Sequence, residues 1–254
     1  MIICKSVEEI EKMKKAARVV AEVLLKIEDI IEPGMTTGHL DKVAEKIISN
    51  RGGIPAFKGY KGRISSVPFP SSICASINDE VVHGIPGKRK IKDGDLVSID
   101  VGVKLDGFFG DAARSFLVGD VKKVTRRLWQ ATKGALDLSI EQCRIGDRLS
   151  DLSHQIEERA KRDGFSVVKD FVGHGIGKNM HEDPQILNYG PPGQGPKLKA
   201  GMVFAIEPML NTGGSGVKVL DDGWTVVTED GSTSCHIEDM VAITDGEPMV
   251  LSRI

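Results

Sequence analysis

The sequence predicts an α+β fold, a single domain made of two halves related by a pseudo-twofold axis, and three observations carry that expectation. Amphipathic helical patterns come in pairs, each pair followed by β-rich segments, so helices and strands are grouped rather than alternating. "KDGDLVSIDVG" (92–102) lines up with "KAGMVFAIEPM" (199–209) at an offset of 107 residues, pairing Lys92 with Lys199, Gly94 with Gly201, Ile99 with Ile206 and Asp100 with Glu207. Upstream, "EPGMTTGHL" (32–40) resembles "RIGDRLSDL" (144–152), and "HGI" recurs at 83–85 and 174–176. No linker-like stretch intervenes, so 1–254 reads as one domain with halves of about 1–120 and 121–254.

The elements follow in order. Ser6, with Glu9 three residues on, has the form of a capping box. Behind it Ile10, Met13, Ala17, Val20, Leu24, Ile27 and Ile31 make one apolar stripe on a long helix that Pro33-Gly34 ends. A second helix turns Leu40, Val43, Ala44, Ile47 and Ile48 inward and stops near Gly52-Gly53. Residues 54–75, rich in Pro, Ser and Gly, read as an extended loop with short strands. "GDLVSIDVGVKLDGFFGDAARSFLVG" reads as a hairpin turning at Asp106-Gly107. Two more helices are expected at roughly 121–142 and 147–163, with strands and glycine-punctuated loops from 165 onward.

Composition excludes several classes of function. The chain is 40% hydrophobic and 28% charged with a formal net charge of −2, and its Lys/Arg-rich stretches at 87–92 and 121–127 are short and offset by nearby acids. Nucleic acids and anionic membranes select clustered positive charge, so neither DNA nor a membrane is an expected partner. There is no secretory signal pattern and no apolar run of the ~20 residues that span a bilayer. Cysteines 4, 74, 143 and 235 are scattered without a C-x-x-C pair and read as reduced thiols of a cytoplasmic protein.

The chemistry concentrates in carboxylates where an apolar core should be. Asp100 interrupts the strand pattern of "LVSIDVGV". With a turn at Asp106-Gly107, Asp111 faces Gly102, and Asp100 becomes its diagonal neighbour on the same face. Carboxylates this close repel unless protonated or bridged by a cation, for which the small Gly102 leaves room; the alternative is that one Asp caps a turn and the other faces solvent. Glu207 in "MVFAIEPML" and Glu238 in "SCHIEDMVAIT" add two more acids at strand-interior positions. Charged groups are rarely buried unless paired or metal-bound, so their convergence about the pseudo-axis describes an oxygen-rich divalent-ion site.

"VKDFVGHGIGKNMHEDP" (168–184) can be read as a phosphate-cradling glycine loop or as histidines placed for metal or proton work. The phosphate reading needs a following helix, and Asp183-Pro184 would break one at once. The glycines instead let backbone approach His174 and His181. One imidazole beside four carboxylates favours Mn, Fe or Co over a structural zinc site, leaving His181 and His83 as donors to a polarised carbonyl or amide. His39 and His154 fall on predicted helices and carry no such role.

"NDEVVHGIP", "IDVGVKLDGFFGD", "GHGIGKNMHEDP", "FAIEPM" and "DGWTVVTEDGSTSCHIED" together closely resemble a bacterial type I methionine aminopeptidase, over nearly the whole chain. The resemblance is to the short form, without a zinc-binding N-terminal extension. It implies the pita-bread fold, each half a curved antiparallel sheet with two helices, and a dinuclear metal site. Asp100 is then expected to chelate one ion, His174 and Glu207 the other, and Asp111 and Glu238 to bridge them. The family's nucleophile is a water or hydroxide between two ions ~3.5–4 Å apart, attacking the carbonyl of the first residue. By the same resemblance Glu207 passes on the water's proton, His181 stabilises the oxyanion and His83 contacts the scissile amide. Phe69, Cys74, Met180 and Trp224 would form the methionine pocket, with Tyr60 a further candidate. The substrate would be the N-terminal Met of nascent polypeptides with a small second residue, the enzyme a monomer in transient contact with the ribosome. Because the chain begins Met1-Ile2, it is expected to keep its own Met1.

Two segments depart from the family pattern. "KGRISSVP" (61–68) lengthens the chain between Tyr60 and Phe69, putting the pocket rim in question. Where the family carries Ala-Gln-aromatic before its last Glu and His after it, this chain has Cys235-His236-Ile237 and Asp239. His236 would share the strand face of Glu238 and act as its neighbour's partner or as an extra ligand. The rival expectations are an Xaa-Pro peptidase or creatinase-like hydrolase of the same fold, which carry a further N-terminal domain, and an inactive peptide-binding homologue, which would lose metal ligands.

Overall fold

Each half opens with a helix pair. The computed structural model describes residues 1–62 and 67–254, so residues 63–66 of the predicted pocket-rim loop lie outside the described residues. Helix α1 (Val7–Ile30) starts at Ser6, whose hydroxyl accepts from the Glu9 amide while the Glu9 carboxylate accepts from the Ser6 amide. Its predicted stripe of Met13, Ala17, Val20, Leu24 and Ile27 is buried. Helix α2 (Thr37–Asn50) buries Leu40, Ala44 and Ile48, while Val43 and Ile47 flank that line and are half-buried. In the second half α3 (Lys123–Glu141) and α4 (Leu149–Asp163) take the places of the other predicted helices, α4 ending on Gly164 in the left-handed region.

The strands of the first half are β1 (Ile54–Pro55), β2 (Cys74–Ile77), β3 (Glu80–Val82), β4 (Leu96–Leu105) and β5 (Phe108–Leu117). Those of the second are β6 (Ser166–Val167), β7 (Gly173–Gly175), β8 (Glu182–Ile186), β9 (Val203–Ile206), β10 (Met209–Asn211), β11 (Val217–Val219), β12 (Val226–Thr228), β13 (Ser234–His236), β14 (Asp239–Ala242) and β15 (Met249–Val250). Asp106 and Gly107, at φ 50° and 82°, turn β4 into β5. Gly102 therefore faces Asp111, and Asp100 faces Ala113. Helix α1 packs on this hairpin so closely that a Cβ on Gly110 would collide with the backbone of Ala16 and Ala17. Across the molecule the largest sheet runs β15-β14-β9-β7-β8.

The internal echo is a structural repeat down to single hydrogen bonds. Gly94 and Gly201 stand at φ 87° and 86°, and their amides donate to the carbonyls of Val118 and Ile243. The amides of Val118 and Ile243 in turn donate to Asp95 and Met202, at 2.9 Å in both halves. Upstream, Thr36 bridges Lys90 as Arg148 bridges Lys197. The second hairpin strand runs at a different offset: Val118 corresponds to Ile243 and Asp111 to His236, 125 residues apart. Its tip is thus 18 residues longer than the first, and the additional chain carries β11, β12 and Trp224.

One part of the echo does not hold. His174 pairs with Ala205, the counterpart of Ser98, and Ser98 pairs with Ser76. Ser76, not His83, therefore occupies the position equivalent to His174, and the second "HGI" is a coincidence of composition. His83 sits after β3 at φ 60°, a different backbone conformation altogether.

The halves meet along β5 and the chain between β13 and β14. The Glu238 amide donates to the Ala113 carbonyl at 2.9 Å and the Ala113 amide to the Glu238 carbonyl at 3.4 Å. Ala113 and Glu238 are repeat counterparts, so the pseudo-axis passes between them. Beside them Arg114 and Asp239, also counterparts, form an ion pair at 2.7 Å. Each half keeps its own apolar core: Val20, Leu24, Leu40, Ile48, Ile99 and Val101 in the first, Leu128, Leu136, Leu152, Ile156, Phe204 and Ile206 in the second. Among the described residues no helix is long and apolar enough to cross a membrane.

Candidate metal centre

Five side chains meet where the halves join. Asp100 and Asp111 share one face of the β4–β5 hairpin, Glu207 follows β9, Glu238 lies on the pseudo-axis and His174 is the centre of β7. One ligand atom each from Asp111, His174 and Glu238 lie within 4.8 Å of one another, and all three residues are buried. His174 Nε2 is 3.7 Å from Asp111 Oδ2 and 3.7 Å from Glu207 Oε1. Its Nδ1 lies 2.9 Å from the Gly175 carbonyl, which can only accept, so Nδ1 carries the proton and the Nε2 lone pair faces the carboxylates.

The electrostatics of this cluster call for a cation. Oδ1 of Asp100, Oδ1 of Asp111 and Oε1 of Glu238 are buried without a hydrogen-bond partner. Burial, then the nearby charge of Glu207, pushes the Asp100 carboxyl up to about 7 despite the opposing influence of His236. Burial and the charges of Asp100 and Glu207 push Asp111 well above the usual carboxylate range. Burial and Asp111 do the same to Glu238. Glu207 goes the other way: burial would raise it, but contact with His236 and the neighbouring His174 and His181 outweigh burial and hold it low. Unpaired buried carboxylate oxygens on one imidazole-bearing wall are the donor set that hard divalent ions take. The residues fit such ions.

The space for those ions is not where the sequence suggested. A Cβ on Gly102 would lie 2.8 Å from Phe57, 2.9 Å from the Met180 methyl and 3.0 Å from Ala56, so side chains rather than an ion fill the gap over Gly102. What Gly102 permits is close packing of the pocket wall against β4. Gly173 and Gly175 act similarly, since a Cβ on either would collide with the carbonyl of Ala205 or Asp183. The glycines of 173–177 bring strands together and form no phosphate cradle.

Above the carboxylates opens a cavity of about 950 Å³ lined by Phe57, Tyr60, Phe69, Cys74, His83, Phe171, His181 and Trp224. Phe69, Cys74 and Trp224 form one buried apolar cluster, the Phe69 and Trp224 rings edge-to-face at 5.3 Å. Burial pushes the Cys74 thiol well up, so it lines the pocket as a neutral, polarisable group. Met180 is not among the groups lining this cavity and instead lines an adjoining recess of about 380 Å³ with Tyr60 and His181. Tyr60 and Phe69, which flank the lengthened segment in sequence, are backbone partners at 2.9 Å. The Trp224 indole N–H donates to the Val67 carbonyl at 2.9 Å.

The two further histidines line the same cavity among different neighbours. The His83 ring packs edge-on to Phe171 at 5.6 Å and Trp224 at 6.2 Å, and burial pushes it down to about 4, leaving a neutral imidazole at neutral pH. His181 is exposed at the rim, its ring 4.4 Å from that of His174, with the Tyr60 hydroxyl 2.8 Å from its Nδ1. His39 lies on α2 and His154 on α4, as the helical pattern requires.

Sequence reasoning missed the groups that brace this site. Phe57 and Phe171 line the cavity, and no periodicity marks either. Lys5 and Glu182 form a buried ion pair at 2.7 Å beside His181, with nothing in the sequence to pair residues so distant. Arg114 donates to the Glu238 carbonyl and to the Asp239 carboxylate, which Arg253 also meets. The one available signal was Asp239 itself, an acid in an apolar run.

Comparison with known proteins adds an independent line. The profile of metallopeptidase family M24 matches residues 11–245. The methionine aminopeptidase of Clostridium perfringens is 49% identical over 254 residues, covering 100% of both chains. The solved methionine aminopeptidase of Thermotoga maritima superposes with a TM-score of 0.96 at 43% identity over 100% of both chains. The prolidase of Pyrococcus horikoshii superposes with a TM-score of 0.77 at 20% identity, covering 100% of this chain and 64% of that one, a likeness of fold alone.

Proposed function

This chain belongs to metallopeptidase family M24, and we infer that within it the protein is a methionine aminopeptidase with the family's pita-bread fold, a metal-dependent hydrolase that removes an N-terminal Met. One observation carries the site: unpaired buried oxygens of Asp100, Asp111 and Glu238 form the floor of a cavity whose wall is Phe69, Cys74 and Trp224. A floor that attracts cations beneath a wall of soft apolar groups suits a thioether side chain held over a metal centre.

In the proposed arrangement Asp100 would hold one ion, His174 and Glu207 would hold the other, and Asp111 and Glu238 would be shared by both. The hard oxygen donors with a single imidazole favour Mn, Fe or Co. Bound ions supply Lewis acidity, lowering the pKa of the attacking water and polarising the scissile carbonyl. The chain's own groups do the rest. Glu207, held ionised, accepts the water's proton at Oε1 and returns it to the departing nitrogen. His181, at the rim beside His174, donates to the developing oxyanion. His83, neutral and wedged between Phe171 and Trp224, contacts the scissile amide. Phe69, Cys74 and Trp224 enclose the methionine side chain, with Phe57 as a further wall and Met180 buttressing it from behind. Nascent chains with a small second residue, transient ribosome contact, a monomeric state and a cytoplasmic setting complete the proposal. The four free cysteines support the cytoplasmic setting.

The test is hydrolysis of Met-Ala-Ser and Ala-Pro-Ala side by side, on chelator-stripped protein with Mn, Fe or Co returned in turn. Metal-dependent release of Met with the proline peptide untouched is the expected result. Cleavage of Ala-Pro-Ala instead would move the protein to the Xaa-Pro branch of the fold. Metal binding without either cleavage would make it a peptide-binding homologue.

A further inference from the structure

We propose that His236 is a positioning residue for Glu207, holding one carboxylate oxygen through Nε2 so that the other is presented to the metal centre. The inference rests on the metalloaminopeptidase reading above and concerns the metal site of that reading.

His236 ends β13 opposite Met209 and is 2% exposed. Its Nε2 is 3.5 Å from Glu207 Oε2, while Glu207 Oε1 is 3.7 Å from His174 Nε2. The two oxygens of one carboxylate are thus divided between a histidine at the metal centre and a histidine behind it. His236 Nε2 is buried and has no hydrogen-bond partner, so Glu207 Oε2 is the acceptor placed to satisfy it. The backbone of His236 is clamped from the other half: its carbonyl accepts from Ser115 Oγ at 2.7 Å, and its amide faces Ser98 Oγ at 3.5 Å. Those two hydroxyls lie 2.7 Å apart. The imidazole is therefore anchored before it meets Glu207.

The repeat explains why this position matters. His236 is the counterpart of Asp111, and Glu207 is the counterpart of Asp100. In the first half the hairpin sets a carboxylate beside a carboxylate, an arrangement that requires a cation. In the second half it sets an imidazole beside the carboxylate, which supplies a donor instead of a second negative charge. His236 lies against the Glu207 oxygen other than the one that faces His174, so in this arrangement it orients a ligand and does not bind the ion.

The experiment uses the chelator-stripped full-length protein, with Mn(II) added alone and binding followed by calorimetry. His236→Ala should weaken Mn(II) binding by about 10–100-fold, the usual effect of removing a hydrogen-bond partner of a metal ligand. His236→Gln, which keeps an N–H donor of similar reach, should recover most of the loss, and the shorter His236→Asn should not. Pulsed EPR of the Mn(II) form should count one coordinated imidazole, that of His174. Unchanged affinity in His236→Ala overturns the proposal, as does a second coordinated imidazole that disappears in that variant. Should His236→Ala fail to fold, the Gln and Asn variants decide the question, since equal affinity in those two overturns it as well. Wild-type protein that binds Mn(II) and releases Met while the variants match it sinks this inference alone. Wild-type protein that binds no Mn(II) sinks the metal reading beneath it.

Discussion

Stripping the metals and raising the pH should destabilise this protein, the reverse of the usual carboxylate effect. In the folded chain the Asp100 carboxyl is pushed from 3.8 to about 7, chiefly by burial. Well below pH 3.8 that group is protonated whether the chain is folded or not, and burial costs it no charge. As pH rises toward 7 the unfolded chain gives up the proton freely while the folded chain keeps it, so each pH unit favours unfolding by about 1.4 kcal/mol. Between pH 5 and 8, with the slope falling away as the folded group itself ionises near 7, that amounts to about 3 kcal/mol from Asp100 alone. Asp111 and Glu238, also raised, push the same way, and the lowered Glu207 opposes them. For a chain of this size about 3 kcal/mol corresponds to a melting-point drop of roughly 10 °C. Scanning calorimetry of the chelator-stripped protein at pH 5 and pH 8 measures it, and added Mn(II) should restore the loss at pH 8. Asp100→Asn removes the ionising group and should flatten the dependence, leaving a metal-free variant more stable than wild type at pH 8. A metal-free protein that melts as high at pH 8 as at pH 5, or an Asp100→Asn variant with the wild-type slope, would refute the reasoning.

Asp111→Asn and Glu238→Gln should each abolish metal-dependent turnover while the circular dichroism spectrum stays native; hydrolysis retained in both removes the bridging assignment. Lys5→Met leaves Glu182 charged and buried beside His181 and should cost about 3–5 kcal/mol in urea unfolding, with Lys5→Met/Glu182→Met recovering most of it. Trp224→Ala opens the wall that Phe69 and Cys74 share and should raise KM for Met-Ala-Ser by about tenfold or more, the loss of one well-buried apolar contact; an unchanged KM would remove Trp224 from the pocket.

What the sequence made legible was whatever local periodicity or strand register controls. The Ser6–Glu9 cap, the helix stripes and the Asp106-Gly107 turn are decided within a few residues, and the turn alone fixes Asp111 opposite Gly102. Register says nothing about what covers a strand face, so the gap over Gly102 was assigned to an ion when Phe57, Met180 and Ala56 fill it. The same limit hid Phe171, which reaches the cavity from the loop before β7, and separated Met180 from the pocket that its neighbours line. A repeated tripeptide misled for a related reason. "HGI" matched in letters, but structural equivalence follows strand pairing, which sets His174 against Ser76. Long-range ion pairs such as Lys5–Glu182 arise from packing of separate segments and leave no trace in spacing.

The repeat also accounts for the asymmetry that a hydrolytic centre needs. Two identical halves would place Asp100 and its twin, and Asp111 and its twin, about the axis as two equivalent pairs of carboxylates. Here the twins are Glu207 and His236. Replacing one acid by an imidazole separates the protonation behaviour of the two halves: Asp100 and Asp111 are raised and wait for a cation, while Glu207 is held ionised beside His236. On the axis the same divergence sets Ala113 against Glu238, which puts a single carboxylate, and not two, at the point both halves share. Two carboxylates facing across 113 and 238 would repel at the seam itself, whereas Glu238 opposite Ala113 leaves that one side chain free to serve both halves. The fold supplies the twofold frame, and these substitutions at repeat-equivalent positions turn it into a site with one carboxylate, Glu207, held ionised and three, Asp100, Asp111 and Glu238, whose charge a cation would stabilise.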